Sequence, residues 1–194
     1  MGAFRPLATV TARWRPAGGD GLEHLTVQPC QFDFGAGIRA ESVLVGARDA
    51  EPYGVRYRID CSADWRVMRF SVETTAGRRL ALIGDGNGRW RDESGASLGH
   101  LDGCIDIDLA GTPFTNSLPI RRLDPVPQAG GAELRMVYVP FSTFEPFVDL
   151  QRYTCLQAGR LYRYEAVDRS FSVELPVDAD GLVIDYPGLF RRLL

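Results

Sequence analysis

The sequence predicts a mostly β single domain with one short embedded helix, and three observations carry that prediction. Two-residue alternation recurs along the chain; it is cleanest where Tyr53, Val55, Tyr57 and Ile59 alternate with Gly54, Arg56, Arg58 and Asp60. Turn-forming residues separate the alternating runs, most strongly at Gly84-Asp85-Gly86-Asn87-Gly88, because glycine and asparagine adopt positive φ at low cost. Helix-like character is confined to Ser117–Leu123. The 194 residues fit one domain spanning 1–194, long enough to bury roughly 70% of the unfolded surface.

Taken in order, strands are expected over Thr9–Arg15, Ile38–Arg48, Tyr53–Asp60, Trp65–Glu73 and Arg78–Gly84. Asp20-Gly21, Ala76-Gly77, Ala158-Gly159 and Asp180-Gly181 supply further turns. The stretch from Gly103 to Leu109 alternates again, with Cys104, Asp106 and Asp108 on one face and Ile105, Ile107 and Leu109 on the other. A Thr-Pro turn then leads to a helix cap at Thr115 or Asn116. The helix Ser117–Leu123 holds Leu118, Ile120 and Leu123 beside the pair Arg121-Arg122. Pro119 falls in the first turn, where its missing N–H costs nothing, and Pro125 ends the segment. Gln128–Gly131 reads as a loop. Strands resume at Ala132–Val139, Phe147–Leu156, Arg160–Val167 and Phe171–Leu175. A Pro-Gly turn at Pro187-Gly188 leads to Leu189, Phe190, Leu193 and Leu194, which cover a sheet end or supply a dimer contact. A helix this short does not persist alone in water. Tertiary packing must hold it, most simply by enclosure in a curled sheet.

All 22 basic residues are arginine, against 25 acidic residues, and they are scattered. A slightly negative chain without a concentrated basic footprint does not read as a nucleic-acid binder. The N-terminus lacks an apolar signal core and no apolar run spans a bilayer, so a cytoplasmic protein without stable membrane insertion is expected. Cys30, Cys61, Cys104 and Cys155 are far apart, without metal-type spacing, and read as free thiols in a reducing compartment. No P-loop, G-x-S-x-G or H-E-x-x-H is present, and no cofactor or metal is expected.

The residues that can carry chemistry begin with Asp106 and Asp108. Two apart on a strand, they share a face about 6.6 Å apart, a spacing open to acid–base work or to a hard metal. Ion pairing with Arg121 and Arg122 is the simpler expectation, and burial makes it close to obligatory. One of the two arginines can instead anchor a headgroup at a pocket mouth. The tryptophans Trp14, Trp65 and Trp90, with Tyr57 and Tyr186, are candidates to line a sugar or acyl pocket, although core packing explains any single ring.

Four pieces of the chain occur together and in order: Leu22-Glu23-His24-Leu25 after Trp14, Tyr57 to Trp65, Gly103 to Leu123, and Gly181 to Gly188. In these the chain resembles a bacterial family named "putative glycolipid-binding". The resemblance implies a spiral β-roll, a long antiparallel sheet curled around one short central helix, often dimeric. It also implies likeness to lipoprotein-carrier folds, which hold acyl chains between sheet and helix. The function expected is therefore non-catalytic binding of a lipid or glycolipid, with Trp14, Tyr57, Trp65, Trp90, Asp106, Asp108, Arg121, Arg122 and Tyr186 as the candidate ligand-binding residues. The alternatives are a hydrolase using Asp106 and Asp108, and a purely structural homodimer.

Overall fold

The computed structural model describes residues 3–48, 51–123 and 131–193. The alternating runs become strands β1 (Val10–Pro16), β2 (Gly21–Phe32), β3 (Gly35–Arg48), β4 (Glu51–Ser62), β5 (Val67–Thr74), β6 (Arg79–Gly84) and β7 (Trp90–Arg91). The second half supplies β8 (Asp106–Leu109), helix α1 (Ser117–Leu123), β9 (Ala132–Val139), β10 (Phe147–Gln157), β11 (Leu161–Ala166), β12 (Ser172–Pro176), β13 (Asp185–Tyr186) and β14 (Phe190–Leu193). Nine strands form an antiparallel sheet in the order β13-β14-β1-β2-β3-β4-β5-β6-β7. Five more follow the order β12-β11-β10-β9-β8, antiparallel except for the parallel pair β8–β9.

The two sheets run on as one curled ribbon. Val177 and Val183 form an antiparallel bridge beside β12 and β13, and the Ile184 N–H donates to the Pro176 carbonyl at 2.8 Å. The far ends of the ribbon also meet. The Gly103 N–H donates to the Gly88 carbonyl at 2.8 Å. Gly88 has φ 95°, and a Cβ there would stand 3.0 Å from the Gly103 Cα, so this approach requires glycine. The result is a mostly β, β-roll-like fold with one short helix, as the alternation and the family resemblance imply.

The helix lies inside the roll. Residues 112–120 are all buried. Leu118 packs into the larger apolar cluster with Trp14, Ile59, Phe70 and Phe114, while Ile120 packs into a smaller one with Tyr153, Tyr162 and Leu175. The helix thus wedges between two parts of the core. It begins differently from the expected side-chain cap, because a 3-10 turn over Phe114–Asn116 runs straight into it. Thr115 and Asn116 sit inside that turn, and their side chains go to other partners.

Strand β2 is the main element absent from the sequence expectation. Its inward residues are Glu23, Leu25 and Val27, whereas Leu22 faces out. A carboxylate in the core register hides the alternation. Pro125, Gln128 to Gly130 and Leu194 lie outside the described residues. Cys61, Cys104 and Cys155 are buried free thiols, and Cys30 is a partly buried one.

Candidate functional site

A cleft of about 990 Å³ opens between the two sheets at one end of the roll. That size lies near the top of the usual range for small-molecule sites. One wall comes from Pro16, Ala47 and Tyr53 of the larger sheet, and the other from β9, β10 and β11. Asp108, Thr112 and Asn116, on the segment joining β8 to α1, also line it. The expectation of a cavity between sheet and helix is thereby shifted. The pocket that α1 itself lines, through Ile120 and Leu123, holds only about 50 Å³.

Four of the nine large apolar side chains that stay exposed among the described residues line this cleft. Phe147, Leu150, Phe171 and Leu189 are 48%, 47%, 39% and 45% exposed, and all four line it. A lone exposed leucine needs no explanation, but a group around one concavity marks a binding surface. Ring follows ring along the wall: Tyr164–Phe171 at 5.9 Å, then Phe171–Tyr186 and Tyr186–Phe190, both at 6.3 Å between centroids. Burial pushes the Tyr164 and Tyr186 phenols above their usual range, and the nearby Asp108 adds to this. Both rings remain neutral hydroxyl donors.

Two carboxylates in the cleft share one amide. The Gln151 Nε2 donates to Asp108 Oδ2 at 2.7 Å and to Asp149 Oδ2 at 2.9 Å. With two N–H bonds spread trigonally, those oxygens stand roughly 5 Å apart. Asp108 Oδ1 accepts the Thr115 hydroxyl at 3.0 Å. The Tyr153 hydroxyl, in turn, reaches Asn116 Oδ1 at 2.9 Å and Gln151 Oε1 at 3.2 Å. Burial raises the Asp108 carboxyl above the usual carboxylate range; the Gln151 and Thr115 hydrogen bonds oppose this, while Asp149 reinforces it.

Behind Thr112 lies a second acidic group. Glu23 is 4% exposed, and its Oε1 accepts hydroxyls from Tyr57 at 2.7 Å, Ser42 at 2.8 Å and Thr112 at 2.9 Å. Its Oε2 has no partner among the described residues. Burial pushes the carboxyl up to about 7 against the three hydroxyl hydrogen bonds.

The residues singled out from sequence divide into three groups. Asp108 and Tyr186 line the cleft. Tyr57 stands one hydroxyl behind it, 3.3 Å from Thr112 Oγ1. The others lie elsewhere. Asp106, 1% exposed, holds Arg122 through both its oxygens, at 3.1 Å and 2.6 Å. Arg121 stacks over Trp65 at 4.7 Å and over Phe4 at 5.0 Å, and donates to the Asp180 carbonyl at 3.2 Å. Trp14 and Trp90 fasten the seams of the roll: Trp14 Nε1 donates to the Val183 carbonyl and Trp90 Nε1 to the Cys104 carbonyl, each at 2.8 Å. Sequence reading missed Asp149, Gln151 and Glu23. Asp149 and Gln151 carried the same two-residue spacing as Asp106 and Asp108, on a strand that was otherwise correctly placed.

The described residues contain no group of three His, Cys, Asp or Glu arranged to hold a metal ion. No helix among them is long and apolar enough to cross a membrane.

With this geometry in hand, comparison with known proteins gives two findings. Residues 11–192 match the model of the family described as "Putative glycolipid-binding". The chain belongs to this family. A crystal structure of a DUF1089 family protein from Pseudomonas aeruginosa is similar, at 37% sequence identity and a TM-score of 0.74. The alignment covers 98% of this chain and 95% of that one. No curated protein matches the sequence. The matched residues include all of those that line the cleft.

Proposed function

We propose that this protein binds a lipid-like amphiphile, a glycolipid by its family, in the cleft between the two sheets, without converting it chemically. One observation carries the reading: four exposed apolar side chains and a run of aromatic rings surround a concavity that also holds three aspartates. An acyl chain laid against Phe147, Leu150, Phe171 and Leu189 would be stabilised by about 25 cal/mol for each Å² removed from water. The family name supports a glycolipid, and the size of the cleft suits a single chain with its headgroup.

Hydrolysis by an Asp106–Asp108 pair is the weaker reading. The Asp106 carboxylate is engaged by Arg122 and does not line the cleft, so only one member of that pair faces a ligand.

The test is native mass spectrometry of gently purified protein before and after exposure to a bacterial lipid extract, with organic extraction of the same sample. A stoichiometric adduct that matches an extracted lipid is expected. A mass that stays at the bare chain after exposure would overturn the reading.

A further inference from the structure

We infer that the cleft selects an amphiphile with an uncharged polyhydroxyl head, a glycosyl group without phosphate, sulfate or carboxylate. This rests on the binding function proposed above and assigns the residues that would read the head.

The first observation is the sign of the lining. Arginine is abundant in the chain, with 22 copies, yet none of the described residues lining the cleft is arginine or histidine. Three are aspartates: Asp108, Asp149 and Asp168. An anionic head entering here would face carboxylates with no lining cation to offset them, in a site whose apolar walls weaken the screening by water. Phosphate and carboxylate recognition elsewhere in proteins relies on the arginine fork, and the two helix arginines that could have supplied one lie outside the cleft with other partners. Arg122 is engaged by Asp106, and Arg121 is stacked between two rings.

The second observation is the mixture of polar groups. Beside the aspartates the cleft presents the hydroxyls of Tyr164 and Tyr186, whereas Thr112, Ser170 and Asn116, which also line it, donate to Glu23, Asp168 and the Pro113 carbonyl. Sugar hydroxyls both donate and accept, so they can use every member of such a set. An ammonium head has donors alone and would offer no acceptor to the Tyr164 and Tyr186 hydroxyls. The shared Gln151 amide fixes Asp108 and Asp149 side by side, each with acceptor capacity to spare, at a spacing that neighbouring ring hydroxyls can bridge. The aromatic walls offer flat apolar faces on which a sugar ring packs.

The probes are four ten-carbon amphiphiles, used below their micelle concentrations: decyl β-glucoside, decyl phosphate, decanoate and decylamine. Their common chain holds the apolar contribution constant, so calorimetric differences in affinity report the head. The glucoside is expected to bind at least tenfold more tightly than the phosphate or decanoate, and more tightly than decylamine. Asp149→Asn should weaken the glucoside and narrow its margin over the anions. Asp149→Arg should shift preference toward decyl phosphate. Equal binding of all four would overturn this inference while leaving the cleft as the lipid site. A preference for decylamine or for either anion would also overturn it. Failure of every probe to bind, together with no adduct from the lipid extract, would remove the binding function itself.

Discussion

Replacing Glu23 with glutamine should remove a pH dependence that the fold imposes on itself. The carboxyl is 4% exposed and all three of its hydrogen-bond donors are neutral hydroxyls. Tyr57, the titratable member among them, is itself pushed above its ordinary value by burial. The folded protein therefore keeps the Glu23 proton up to about pH 7, whereas the unfolded chain releases it near 4.5. Between those values the native state binds more protons, so stability falls as pH rises and is highest at the acid end of that window. At about 1.36 kcal/mol per unit, the gap is worth roughly 3 kcal/mol, most of it spent between pH 5 and pH 8. Urea unfolding of the wild type and of Glu23→Gln at those two pH values measures it. The wild type should lose about 2–3 kcal/mol more than the variant across the interval, with unchanged m-values. Other buried carboxyls, Asp106 and Asp108 among them, titrate in both proteins and cancel in the comparison. Equal losses in the two proteins would refute the claim that Glu23 holds the proton.

Three further expectations follow from the same geometry. Arg122→Ala leaves the Asp106 carboxylate buried without its partner and should cost about 3–5 kcal/mol in urea unfolding, whereas the apolar double variant Asp106→Leu/Arg122→Met should recover most of the loss; a loss below about 1 kcal/mol for the single variant would contradict the pairing. Trp14→Phe deprives the Val183 carbonyl of its donor at the seam between the sheets and should cost at least about 1–3 kcal/mol, with faster amide exchange concentrated around Val183 to Tyr186; unchanged exchange there would mean that the seam is held by something else. Leu150→Glu alters an exposed position and should leave stability within about 0.5 kcal/mol, and Phe171→Glu, which also gives up its ring contacts with Tyr164 and Tyr186, should cost about 1–3 kcal/mol; both should lower affinity for decyl glucoside at least tenfold, and retained affinity in both would place the ligand elsewhere.

Much of the fold is legible in the sequence because period-two alternation survives wherever one face of a strand is apolar. Tyr53 to Asp60 and Ala132 to Val139 are cases, and the helix bounds Ser117–Leu123 follow from the proline in its first turn and the apolar spacing behind it. Strand β2 was hidden by the same logic, since Glu23 occupies a core position and Leu22 an outward one. Local pattern reports burial only when hydrophobicity and burial coincide. The site was less legible. Tryptophans are conspicuous in sequence, but Trp14 and Trp90 serve the seams through their indole N–H groups. Asp106 and Asp108 share a strand face, yet the helix arginine claims one and the cleft the other. Asp108 is joined through the Gln151 amide to Asp149, which is 41 residues further along the chain and is brought there by β10. That relation is tertiary and leaves no local trace beyond the Asp-x-Gln spacing.

The central claim is that the cleft between the sheets is where a lipid lies, and a crystal structure of the protein grown with saturating decyl β-glucoside tests it most directly. The alkyl chain is expected against Phe147, Leu150, Phe171 and Leu189, with sugar hydroxyls within hydrogen-bond distance of Asp108 or Asp149. An empty cleft at saturation, or a chain seated beside Ile120 and Tyr162 or on the outer face of the larger sheet, would contradict it.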